Sequence, residues 1–372
     1  LLDQSHSSLC VSSWHLGNPF TAGGAPTCSA PSPTCTKCHC MVPLGCSQVL
    51  CIATRLKTAG EMMGESMTQP VNRKDPFDQC ISECTILTLG EDPGEIGQPF
   101  SCPFVFCEHL HTYTRVGSRL CVMDIASNLW ILDLDTMVWR KVDTLSQTLL
   151  GRVERAIGIR NLWPEPRGSF LLLSVGGYLV VFGGYTTRLN RVLKWRNHRK
   201  LRDCWSFDPT TSGWTRLPDS PVYIDKHSLV VPVSHDETLI IVPKYPWVKY
   251  DRDYRILEGQ QAWLYSFTLD TGLVLRDTWE LPYAVRDIAI ARMCGGHLLV
   301  AGARDEGVLE YSSLDTVSMA WGECNTPRED PLSLLWGLHG GSSVMLSHTQ
   351  TLFYSPEGSM YVVDVQEEEM CL

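Results

Sequence analysis

The chain has 372 residues, 44% of them hydrophobic, and a formal net charge of −10. That supplies enough apolar material for one large or two smaller cores, while the acidic balance excludes wholesale binding to nucleic acid, which calls for a basic surface. Twelve of the 16 cysteines lie at or before Cys121 and the other four sit in apolar segments, which argues against a disulfide scaffold and for a reducing, cytoplasmic setting.

Residues 1–112 read as an irregular Cys- and Pro-rich segment. Stretches such as Thr21-Ala-Gly-Gly-Ala-Pro-Thr-Cys-Ser-Ala-Pro-Ser-Pro-Thr carry turn residues and no sustained periodicity. Within this segment Cys35, Cys38, Cys40 and Cys46 form the most metal-like cluster, because thiolates two residues apart can grip one zinc ion. No partner pair stands at a familiar zinc spacing, so the bland reading, a cysteine-rich coil with no metal or cofactor, is preferred. Cys107, His109 and His111 alternate as on one strand face, with packing again the simpler role. No basic segment followed by an apolar one near the start reads as a secretion signal.

From about Tyr113 a repeat sets in. Asp133 to Trp139, Asp208 to Trp214 and Asp315 to Trp321 are each Asp, five residues, then Trp, preceded by a strand that carries an aromatic. A looser fourth copy runs from Asp270 to Trp279. The physical logic is a hairpin: a strand, a polar turn opened by Asp, and an outer strand whose Trp closes the sheet. Inner hairpins repeat too. Gly176-Gly-Tyr-Leu-Val-Val-Phe-Gly183-Gly184 aligns without gaps on Gly295-Gly-His-Leu-Leu-Val-Ala-Gly-Ala303. Their leading glycines supply the positive φ of a tight turn, and those at the strand end allow close backbone approach. The run 168–188 has no internal charge, but its double glycines divide it into two short strands and it is no membrane span.

Two insertions, Thr186 to Arg202 and about Tyr245 to Gln261, fall between the second and third strands of their repeats, where a loop can grow without disturbing a core. The first holds seven basic residues, Arg188, Arg191, Lys194, Arg196, Arg199, Lys200 and Arg202, and no acid. Leu189, Val192, Leu193 and Arg196 follow helical spacing, so a short basic amphipathic helix is conceivable, docking an acidic protein, a lipid headgroup or nucleic acid. The competing reading is a solvated loop that balances an acidic domain. The last segment, 340–365, offers three strands and no closing Trp, and Cys84 to Leu89 or a nearby segment is the expected source of its fourth strand.

The succession of these motifs over 113–372 resembles the Kelch-repeat family, with Trp139, Trp214, Trp279 and Trp321 as closing residues and Gly183-Gly184 as the inner glycine pair. The resemblance implies an all-β fold, a Kelch-type β-propeller of about five to six four-stranded blades. It also implies a protein–protein interaction scaffold or adaptor that works through loops on one face, with protein partners and no catalytic residues. A copper-radical oxidase built on a similar propeller is the alternative in the enzyme class. Neither a nucleophile elbow, nor a P-loop, nor a dinucleotide fingerprint is present.

Overall fold

A computed structural model describes residues 8–17, 37–45, 48–57, 80–88, 97–107, 110–142, 163–190, 195–244, 260–281, 288–294, 296–303, 309–318, 320–323, 342–345, 350–354 and 360–368. The described residues form strands and turns without an α-helix, and no helix is long and apolar enough to cross a membrane. The strands make six four-stranded antiparallel sheets and one two-stranded ribbon.

In chain order, the first sheet holds β2 (Lys37–Gly45), β3 (Gln48–Leu56), β4 (Cys80–Thr88) and β5 (Phe100–Ser101). The second holds β6 (His111–Val116), β7 (Arg119–Asp124), β8 (Leu129–Asp133) and β9 (Val138–Val142). The third holds β10 (Leu171–Val175), β11 (Tyr178–Phe182), β14 (Cys204–Asp208) and β15 (Gly213–Leu217). Between β11 and β14 stand β12 (Tyr185–Asn190) and β13 (Trp195–Lys200), the ribbon. The fourth sheet is β16 (Leu229–Pro232), β17 (Thr238–Pro243), β18 (Gln260–Thr268) and β19 (Gly272–Leu281). The fifth is β20 (Ile288–Cys294), β21 (His297–Ala303), β22 (Leu309–Asp315) and β23 (Trp321–Glu323). The sixth joins β24 (Ser342–Met345), β25 (Gln350–Tyr354) and β26 (Met360–Glu368) to β1 (Ser8–Gly17).

The chain divides into two compact units, one of 109–305 and 310–323, the other of 1–108, 306–309 and 324–372. A division at 112/113 with 1–112 irregular is the expectation from sequence, whereas the described residues of 1–112 include β1 to β5 and part of β6. Cys38 and Cys40 belong to β2, set against Ala53 and Ile52 with a bulge between them, and Cys40 is buried, as are Met41, Val42, Leu50 and Ile52. The two-residue Cys spacing is here a strand spacing. Cys35 and Cys46 lie outside the described residues.

Within the larger unit, alternate residues of each central strand serve different cores. Leu179 and Val181 of β11 face Cys121, Met123, Ile131 and Phe207 between the second and third sheets. Val180 and Phe182 face Ile240, Val242 and Phe267 between the third and fourth. Leu239, Ile241 and Leu264 meet Leu298, Val300 and Leu314 between the fourth and fifth. A sheet covered on both faces loses the polar half of the strand alternation, which is why Leu171-Leu-Leu and Leu239-Ile-Ile-Val read as unbroken apolar runs.

The Asp turns repeat as expected in three sheets. Asp133 accepts hydrogen bonds from the Thr136 N–H and hydroxyl (both 2.9 Å), Asp208 from the Thr210 N–H (2.7 Å) and Thr211 hydroxyl (2.9 Å), and Asp315 from the Val317 N–H (2.8 Å) and Ser318 hydroxyl (2.8 Å). These bonds, backbone ones first, hold all three carboxyls below their ordinary range. Trp139, Trp214 and Trp321 stand opposite Leu132, Phe207 and Leu314, the residues just before each Asp.

The fourth copy departs from this. Its turn is opened by Thr268, whose Oγ1 accepts from the Thr271 N–H at 3.1 Å, and is shorter by one residue, with Gly272 at φ +68°. Leu273 faces Phe267 in the place of the closing Trp, whereas Trp279 pairs with Ala262 far along β19. Trp279 is therefore not a repeat residue. The sixth sheet also corrects an expectation. Its fourth strand is β1, with Ser8 to Gly17 antiparallel to Glu368 to Met360, while Cys84 to Thr88 belongs to the first sheet.

Candidate binding face at the 185–200 hairpin

In an antiparallel sheet successive links leave from alternate ends. The β9–β10, β11–β14 and β15–β16 links of the third sheet thus emerge together, opposite the tight turns at 176–177 and 209–212. Among the described residues of 188–202 there is no helix. The link is instead an extended hairpin, in six-pair register from Tyr185 opposite Lys200 to Asn190 opposite Trp195. Tertiary contacts at its base impose the extended form. Gly168 and Tyr185 exchange backbone bonds of 2.8 and 2.9 Å, the Leu201 N–H donates to Gly184 O (2.8 Å), and the Gly184 N–H donates to Ile224 O (3.0 Å).

Beneath the base lies Arg167, its side chain 0% exposed, forked onto Asp203 through Nη1–Oδ1 at 2.8 Å and Nη2–Oδ2 at 2.7 Å. The guanidinium also donates to Gly183 O and Glu165 O, both at 3.0 Å. The Trp205 indole N–H donates to Asp203 Oδ2 at 2.6 Å. Burial acting alone would raise the Asp203 carboxyl. Arg167, through hydrogen bonding and charge, with the help of Trp205, outweighs it and holds the group below its ordinary value. Sequence reasoning did not single out this pair, although Arg167 just before a strand and Asp203 two residues before an aromatic were both visible.

The basic residues are distributed unevenly around this base. Arg199, its side chain 52% exposed, forms an ion pair with Glu165. The ammonium of Lys200 lies 4.8 Å from the centre of the Tyr223 ring, and Arg202 is exposed. Arg188 and Arg196 are placed on the hairpin strands opposite Asn197 and Leu189. Arg191 and Lys194 fall outside the described residues.

The 218–228 link adds a polar group of a different kind. Tyr223 Oη, Asp225 Oδ2 and Ser228 Oγ are buried without a hydrogen-bond partner from the protein, and Asp225 is 2% exposed. Burial raises the Asp225 carboxyl, against the opposing hydrogen bond of the His227 N–H and the charges of His227, Lys200 and Lys226. Burial, then the Asp225 charge, raises the Tyr223 phenol. A carboxyl raised by folding contributes stability below its ordinary value of 3.8 and loses it as pH climbs through the folded value. Asp225→Asn is therefore expected to match the parent protein below about pH 4 and to be more stable at pH 7. Urea unfolding across that range checks it, and an Asn variant less stable at pH 7 would contradict it.

Two of the buried thiols belong to the cores. Burial pushes Cys121 up to about 12 and raises Cys204 strongly, leaving both as core residues rather than nucleophiles. Among the described residues no three His, Cys, Asp or Glu side chains gather as a metal set.

The glycine pair, the Asp turn and the closing indole thus occur together in the third sheet, and the profile of the Kelch motif matches residues 166–221. The chain carries a Kelch motif. The described residues are all-β, in four-stranded antiparallel sheets, and the third sheet, the Arg167–Asp203 pair and the hairpin all lie inside the matched motif. No curated protein matches the chain in sequence. Among solved structures, that of YjhT aligns with a TM-score of 0.49 at 13% identity, over 91% of this chain and 99% of that one.

Proposed function

We propose that this protein is a non-catalytic interaction module that holds a protein partner at the end of the third sheet from which the 185–200 hairpin projects. A Kelch motif is a fold element commonly used in protein interaction, and this one carries an insertion anchored at its base by two separate chain segments, at Gly168 and at Ile224. That anchoring is the observation on which the reading stands. A solvated loop would need none of it, whereas a recognition element gains affinity from being held in its bound shape.

The test is affinity capture of cell proteins with the full chain, followed by chemical crosslinking and mass spectrometry. Crosslinks from a captured protein to 163–170, 185–202 and 218–228 are the expected result. Crosslinks confined to the opposite turns, near 117–118, 134–137, 176–177 and 209–212, would overturn the reading.

A further inference from the structure

Among the described residues the hairpin has an edge with no strand against it. Among the described residues β12 and β13 pair only with one another, apart from the bridge between Tyr185 and Gly168 at the base, so β13 has no second strand neighbour. A strand edge presents backbone N–H and C=O groups at a fixed spacing, a template that an extended polypeptide can complete. The six-residue ladder offers about 20 Å of such edge.

The edge is also strongly charged. From 185 to 202 the chain contains no acid, yet Arg188, Arg196, Arg199, Lys200 and Arg202 stand on the two strands and their exit, in a protein whose net charge is −10. Of the nearby carboxylates, Glu165 is paired with Arg199 and Asp203 with Arg167, while Asp225 is buried at 2% exposure.

We infer that β13 is the docking edge for a short, extended, acidic segment of a partner protein, which adds to the ribbon as a third strand. This deepens the proposed function and rests on it. Three arguments select this occupant. Backbone pairing along the edge can be completed by a polypeptide but not by a lipid headgroup or a nucleic acid. A nucleic acid carries charge continuously along its length, so beyond the hairpin it would meet an acidic protein, whereas a peptide of about six residues ends where the positive charge ends. Edge-to-edge pairing of this hairpin with that of a second copy is repelled, because both bear the same positive charge.

The experiment pans a library of short peptides against the full chain and measures the enriched peptides by fluorescence anisotropy. Peptides rich in Asp and Glu are expected, with affinity falling as salt is raised. N-methylation of alternate peptide amides, which keeps the charge and removes the pairing donors, is expected to abolish binding to the unaltered protein. The double variant Arg188→Gln, Arg196→Gln is expected to bind about tenfold more weakly with its unfolding midpoint unchanged. Short single-stranded DNA and phosphatidylserine vesicles serve as the competing polyanions. Binding that survives N-methylation, or DNA or vesicles binding where the peptides do not, would overturn the inference. Enriched peptides indifferent to both arginines would overturn it while leaving the interaction module standing. A library that yields no binder would remove both.

Discussion

Arg167→Ala is expected to cost about 3–5 kcal/mol of folding stability, measured by urea unfolding at pH 7. The guanidinium is fully buried and makes four hydrogen bonds, two to the Asp203 carboxylate and one each to the carbonyls of Gly183 and Glu165. Removing it strands a carboxylate that is only 15% exposed, together with two carbonyls that lose a donor. The pH dependence identifies the cause. Asp203 is held below its ordinary value of 3.8, so in the parent protein it contributes stability above that pH and loses it as pH falls through the folded value. Without Arg167, burial raises the same carboxyl and the contribution changes sign. The penalty of the variant should therefore shrink on acidification below about pH 4. A loss under about 1 kcal/mol, or one independent of pH, would show that the pair does not hold this region together.

Gly183→Ala is expected to be at least as damaging, at about 4 kcal/mol or more. Gly183 has φ +54°, and a Cβ there would stand 2.2 Å from the carbonyl oxygen of Ile224. That oxygen accepts the Gly184 N–H at 3.0 Å, so neither backbone can withdraw without breaking the anchor of the hairpin. Gly177→Ala is the internal control. Its φ of +77° is equally left-handed, but a Cβ there meets nothing within 4 Å. The expected cost is the conformational one alone, about 1 kcal/mol. Equal unfolding midpoints for the two variants would show that the close approach at Gly183 is not limiting.

These residues also show how far the sequence could be read. Gly183-Gly184, the Asp turns and the Trp139, Trp214 and Trp321 positions were legible because each is a local necessity, a positive φ, a capped turn or a strand partner. Trp279 misled because the fourth sheet has longer strands, a shifted register between Leu264 and Tyr265, and Thr268 where Asp stands elsewhere. The first sheet was hidden by its composition: Cys38-His-Cys40 reads as a metal grip, but the fold uses Cys40, Cys51 and Cys84 as strand core residues. The insertion took an extended form against its helical spacing because pairing at Gly168 and Gly184 fixes both strands of its base. Arg167 escaped notice since its partner is 36 residues away, and no local pattern announces a distant ion pair.

The union of β1 with β26 has a bearing on how the protein is made. Its members, Ser8–Gly17 and Met360–Glu368, are separated by nearly the whole chain. During ribosomal synthesis β1 must wait for β26, so among the described sheets the sixth closes the longest loop and carries the largest loop-closure entropy. Until β26 is made, β1 is a hydrogen-bonding surface without its mate, and the nascent protein is then most exposed to capture by the wrong strand.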